Sequence, residues 1–139
     1  MPRPRRVLLA LIAVGALSVG PLGACSNNRE SAQARAPVHT ETANAKVAAD
    51  GVQEVTITGN ERFRFVPSTI KARPGPLRIV LMNSGTTPHD LEVEGAGQGT
   101  GLVAGGERAQ ITVNLKPGRY RFVCTLHIRL HMMGTIIVA

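Results

Sequence analysis

Tryptophan is absent from this sequence, tyrosine occurs once and phenylalanine three times. Acidic residues are few, nine Asp and Glu against sixteen Lys and Arg, and only two cysteines occur in 139 residues. Each scarcity excludes something. Over residues 51–139 ten basic residues face six acidic ones, a net charge of +4, and the charges are interspersed. A basic chain without a basic run and with few aromatics does not read as a nucleic-acid binder. Two cysteines leave no room for a multi-disulfide scaffold of the kind small exported domains use. The apolar run from Val7 to Gly20 is fourteen residues long, short of the roughly 20 that span a bilayer.

That run has a different meaning. Arg3, Arg5 and Arg6 precede it and small residues follow it, which is the pattern of a secretory signal peptide over residues 1–24. It ends in Leu22-Gly23-Ala24-Cys25, which resembles the bacterial lipobox. The resemblance implies that Cys25 becomes the lipidated first residue, with the protein exported and anchored to the outer face of the bacterial cytoplasmic membrane. Residues 25–50, rich in Ala, Ser, Asn and Thr, read as a flexible tether too polar to bury a core. His39, within it, reads as solvated.

Residues 51–139 form the domain. Val55 and Ile57, Phe63 and Phe65, Leu77, Ile79 and Leu81, Leu91 and Val93, Ile111 and Val113, and Tyr120 and Phe122 alternate with polar or outward neighbours, and Thr135–Val138 is a β-branched close. Period two over short runs is the half-buried strand signature. Arg73-Pro74-Gly75-Pro76, Asn83-Ser84-Gly85, the glycine-rich 95–106 stretch and Lys116-Pro117-Gly118 separate the runs as turns. No helix is evident. The expected fold is all-β, an antiparallel Greek-key sandwich or barrel of seven or eight strands. The expected core is Val55, Ile57, Phe65, Ile79, Leu81, Leu91, Val93, Ile111, Val113, Tyr120, Phe122 and Ile136, with Met82 as further core filling.

Chemistry concentrates near the end of the chain. Cys124, His127, His131, Met132 and Met133 lie within ten residues. Thiolate, imidazole and thioether together are a soft donor set that selects copper. Cys-x2-His-x4-Met wraps around one ion, and His89, in a loop-like stretch thirty-five residues before Cys124, is the one good candidate for a further ligand. With Cys25 lipidated, Cys124 has no disulfide partner, and an unpaired thiol outside the cytosol is prone to oxidation. Binding to a metal explains its presence better than core packing does. Two histidines, one cysteine and a weak axial methionine make up the blue-copper electron-transfer set.

Tyr120–His127 followed by Met132–Val138 resembles the C-terminal copper loop of the plastocyanin/amicyanin branch of the cupredoxins. Pro88-His89-Asp90 resembles the loop carrying their first histidine, and Glu61–Gly75 resembles their early strand pair. The resemblance covers residues 52–139. It implies one copper ion at one end of a sandwich, with His89 and His127 as equatorial ligands, Cys124 as the thiolate and Met132 as the axial thioether. It also implies one-electron transfer between redox proteins. Asp90 stands where the family often has Asn, and is expected to bond the Thr125 hydroxyl or backbone and to lower the reduction potential. His131 reads as a solvated loop residue or a replacement ligand. Met133 is the alternative axial donor, expected to point away from Met132.

The functional expectation is a membrane-tethered, monomeric electron carrier that meets redox partners with an acidic docking surface. An apolar patch of Ile128 and Leu130, with Arg129 at its rim, is expected around His127. Two other readings stand beside it. One is a copper chaperone, buffer or scavenger; the other is a metal-free sandwich used for adhesion. No second copper centre or acid–base pair points to an enzyme.

Overall fold

A computed structural model describes residues 41–139. Cys25, His39 and the signal segment lie outside the described residues. The strands are β1 (Thr42–Asn44), β2 (Lys46–Val47), β3 (Gln53–Asn60), β4 (Arg64–Val66), β5 (Thr69–Ala72), β6 (Gly75–Asn83), β7 (Glu92–Val93), β8 (Gln98–Gly99), β9 (Arg108–Leu115), β10 (Gly118–Val123) and β11 (Met133–Val138). Among the described residues a single 3-10 turn, Thr125–Leu130, precedes β11. One sheet has the order β1-β5-β11-β10-β7-β8; the other has β2-β3-β6-β9, with β4 also paired to β3.

The alternation in the sequence becomes the two faces of each sheet. Val55 and Ile57 of β3, Leu77, Ile79 and Leu81 of β6, and Ile111, Val113 and Leu115 of β9 point inward. They meet Ile70 of β5, Val93 of β7, Phe122 of β10 and Ile136 and Val138 of β11. The Phe65 and Phe122 rings pack at a tilt, 5.3 Å between centroids. Each such side chain, fully buried, contributes about 1.5–3 kcal/mol of hydrophobic stabilisation, so the sandwich stands on this core rather than on any one strand.

The structure departs from the sequence expectation in five places. Thr42–Val47, expected in the tether, forms strands: β1 runs parallel to β5 and β2 antiparallel to the start of β3. Backbone pairing onto two open sheet edges needs no apolar periodicity, which is why composition concealed it. Strand pairing is also mixed rather than antiparallel throughout: β3–β6, β5–β11 and β1–β5 are parallel. The chain leaves β3, visits the other sheet as β5 and returns as β6, and such a crossover permits parallel pairing. Eleven strands replace the expected seven or eight because the edge pieces are only two or three residues long.

Met82 is 42% exposed. It follows inward-facing Leu81, so the pleat turns it outward and it fills no core. Tyr120 is only half-buried, because its hydroxyl reaches back to donate to the Lys116 carbonyl at 3.0 Å.

Parallel pairing of β3 with β6 matters for function. It sets Gly59 opposite Asn83, so both strands end at the same rim of the sandwich. Ser84 ties that rim together, donating from its amide and its hydroxyl to the Gly59 carbonyl at 2.9 and 3.0 Å. The loop after β6 and the loop between β10 and β11 therefore emerge side by side.

Candidate metal centre

The first loop is shaped by one buried amide. Asn83, 1% exposed, donates from Nδ2 to the carbonyls of Thr87 (2.8 Å) and Val103 (3.0 Å), and its Oδ1 accepts from the Gly85 amide at 2.9 Å. A buried amide so nearly satisfied is rigid. His89 then bridges to Val103 through both backbone groups, at 3.1 and 2.7 Å. From outside, the Glu61 carboxylate accepts from the amides and hydroxyls of both Thr86 and Thr87. Those amide donors, Thr87 first, hold its pKa down to about 2.

The second loop closes on itself. The Cys124 amide donates to the Met132 carbonyl at 3.0 Å, the His127 amide to the Cys124 carbonyl at 3.2 Å, and the Met132 amide to the His127 carbonyl at 3.3 Å. His131 takes left-handed backbone angles, φ 59 and ψ 32, to end the 3-10 turn. Asp90 joins the two loops, accepting from the Thr125 amide at 2.7 Å and from the Thr125 hydroxyl. This cross-link is the one expected of Asp90 from the sequence.

Three donor atoms converge between the loops. Cys124 Sγ lies 3.3 Å from His127 Nδ1 and 3.9 Å from His89 Nδ1, and the two nitrogens are 3.2 Å apart. All three lie within 4.8 Å of one another. His89, Cys124 and Met132 are fully buried, while His127 is half-buried. Met132 comes close to the same place: a Cβ on Gly59 would sit 3.3 Å from the Met132 methyl and 3.1 Å from His89 Cδ2. His131 is exposed and Met133 half-buried, and both line a cleft beside the site.

The electrostatics favour a soft cation. Burial first, then the neighbouring His127, lowers the His89 pKa, which keeps a lone pair free. Burial raises the Cys124 pKa, so the thiol holds its proton until a metal replaces it. Among the described residues no disulfide uses the sulfur. Among the described residues no carboxylate joins the cluster, which disfavours calcium and magnesium. Thiolate and imidazole beside a buried thioether fit one copper ion.

Several residues that shape the site were not singled out in the sequence. A side chain on Gly59 would press on His89 and Met132, and a glycine inside an alternating strand is a signal of such close approach. Phe63 packs its ring 4.7 Å from that of His127 and 6.3 Å from that of His89. Its backbone has φ 54, in a region that costs a bulky residue about 1–3 kcal/mol. Asn83 and Glu61 act through contacts that local sequence patterns do not encode.

Comparison with known proteins agrees with the fold. No curated protein matches the chain significantly. Dithionite-reduced auracyanin from the photosynthetic bacterium Roseiflexus castenholzii superposes with a TM-score of 0.56 at 16% identity, over 62% of this chain and 96% of that one. Auracyanin B gives 0.55 at 15% identity, over 62% and 88%. The metal-binding domain of the Cu(I)-exporting P-type ATPase CopA from Streptococcus pneumoniae, solved with Cu(I), gives 0.59 at 21% identity, over 72% and 97%. The sequence model of the cupredoxin-like domain matches residues 31–138. With that match over most of its length, and with a His-Cys-His cluster held between two loops at one rim of an all-β sandwich, the chain belongs to the cupredoxin-like family.

Proposed function

We propose that this chain is a blue-copper electron carrier, and not an enzyme. The observation that carries the reading is the convergence of His89, Cys124 and His127 on one point, with buried Met132 beside it, in loops braced by hydrogen bonds. Bound copper supplies a one-electron couple. His89, Cys124 and His127 would hold it, with Met132 as a weaker fourth donor. The protein's part is to keep those donors in place. The Asn83 amide, the Asp90–Thr125 cross-link and the Phe63 ring each resist movement of a ligand loop. Small movement means small reorganisation when an electron passes.

Among the four, only His127 reaches the surface. Leu126 and Leu130 (each 53% exposed) and Ile128 (41%) are exposed on the same loop. This makes His127 the electron's exit and gives a transient partner a small apolar contact.

Copper handling is the second reading. His131 and the thioethers of Met133 and exposed Met82 support it as extra donors outside the site, and so does the likeness to a domain solved with Cu(I). One experiment separates the two. Copper-loaded protein is cycled electrochemically while its bound copper is followed. Reversible cycling without loss supports electron transfer; release of copper on reduction supports handling. In the same series Met132→Leu removes the axial donor and should raise the potential by on the order of 60 mV, a tenfold change in a one-electron equilibrium. His131→Ala and Met133→Leu should leave the spectrum nearly unchanged. If His131→Ala alters it as much as Met132→Leu does, the ligand assignment fails.

We also propose export and anchoring to the outer face of the bacterial cytoplasmic membrane through a lipid on Cys25. Two acyl chains on one cysteine suffice for stable attachment. Cys25→Ser should move the protein from the membrane to the soluble fraction with its copper spectrum intact; wild-type protein found wholly soluble would remove the anchor.

A further inference from the structure

A cleft of about 330 Å³ opens on one side of the metal site, lined by Arg62, Phe63, Arg64, Ser68, His131 and Met133 among others. Four observations single it out. Phe63 and His131 are the only non-glycine residues with positive φ among the described residues, and both line this cleft. Unfavourable backbone angles collect where a surface is shaped for a purpose. The Phe63 ring forms part of the wall and packs on His127, so whatever sits there is one aromatic ring from a ligand. Arg62 and Arg64 are exposed and make no ion pair among the described residues, whereas Arg78 and Arg121 are both paired. Finally, the buried Ser68 hydroxyl has no hydrogen-bond partner.

Among the described residues neither nearby carboxylate forms an ion pair with these arginines. The Glu61 carboxylate is occupied by Thr86 and Thr87, and that of Asp90 by Thr125. Asn60 fixes the turn that presents the arginines: its side-chain oxygen accepts from the Arg62 amide at 3.0 Å and from the Arg64 amide at 3.3 Å. Phe63 follows the same turn, donating its amide to the Asn60 carbonyl at 3.0 Å.

We propose that this cleft is the docking surface for an acidic protein partner. Carboxylates of the partner sit between Arg62 and Arg64, and an apolar side chain rests on Phe63, Leu130 and Met133. The inference rests on the electron-carrier reading and locates its partner on the flank of His127. An anionic lipid surface is the other candidate for a basic patch on a tethered protein. It fits less well, because lipid recognition uses several clustered basic residues on an exposed face. Here there are two arginines over an aromatic-walled concavity.

The test maps binding by NMR on the full chain, in copper-free and copper(I) forms. Two probes are used: the paramagnetic hexacyanochromate(III) anion, and an acidic peptide of four glutamates around one leucine. Both should perturb the amides of residues 62–65, 68 and 130–133, and less so as salt rises. The double variant Arg62→Gln, Arg64→Gln should bind the peptide about fivefold more weakly, while Arg119→Gln binds as wild type. Perturbation centred on Arg119 and Arg121, or on Leu126 and Ile128 alone, overturns the proposal. So does cleft perturbation by phosphatidylglycerol vesicles but not by the peptide. Because the copper-free form is mapped as well, failure of the chain to hold or cycle copper would count against the electron-carrier reading and leave the map to be judged on its own.

Discussion

Cys124→Ser abolishes the intense visible absorption of the Cu(II) protein and weakens copper binding by more than about 100-fold. Altering an outer contact of a metal site already costs 10–100-fold, and this change removes a direct donor. The absorption depends on the sulfur–copper bond, which a hydroxyl does not replace. The variant still folds. Cys124 is fully buried, so the new hydroxyl costs about 1–3 kcal/mol if it finds no partner. Most of the sandwich core is made by the alternating residues of the strands, with Cys124 at its edge near the rim. Visible spectroscopy and thermal melting, with and without copper, check both halves. Survival of the colour in the serine variant would show that another residue supplies the ligand. A variant that melts below wild type without copper by no more than that hydroxyl costs, about 3 kcal/mol at most, but gains little from its addition is the expected pattern, since a ligand bound only by the folded state stabilises it by mass action.

Gly134→Ala produces the largest expected loss of stability. A Cβ there would lie 2.2 Å from Phe122 Cζ and 2.5 Å from the Ser68 carbonyl oxygen. Neither neighbour moves freely. The Phe122 ring is fully buried and packed on Phe65, and the Ser68 carbonyl already accepts from the Thr135 amide at 2.9 Å. Overpacking of this kind costs about 3 kcal/mol, which in a domain of this size lowers the melting temperature by on the order of 15 °C. Met132 is two residues upstream, so its approach to the site is disturbed as well. Gly99→Ala is the control. Its Cβ would come no closer than 3.4 Å to a neighbour, and its effect should stay within about 0.5 kcal/mol. If the two variants melt alike, the tight contact at Gly134 is not what the structure indicates.

Neither effect is equally visible in the sequence. Cys124 announces itself by rarity: one thiol, three residues before a histidine and eight before a methionine, needs no fold to be noticed. Gly134 looks like any glycine near a strand. Its meaning lies in Phe122, its partner across β10 and β11, and in Ser68, more than sixty residues earlier in the chain.

The same division runs through the whole molecule. Period-two alternation determined by itself that the chain is all-β, and that residues such as Ile57, Ile79 and Val113 face inward, because a pleat sends alternate side chains to opposite faces. Unusual residue types at short spacing determined that Cys124, His127 and Met132 belong to one loop, and His89 was the remaining candidate. Edge pairing of Thr42–Val47 was hidden, since backbone hydrogen bonds leave no mark on composition. The parallel register of β3 with β6 was hidden too, and it alone sets Gly59 beside the loop of His89. Tertiary structure also decided that Glu61 and Asn83 brace that loop, that Phe63 lies against His127, and that Arg62 and Arg64 flank an open cleft. Each of these depends on atoms brought within a few ångströms by residues far apart in the chain. Local periodicity reports which way a side chain points, and only the packed fold reports what it meets there.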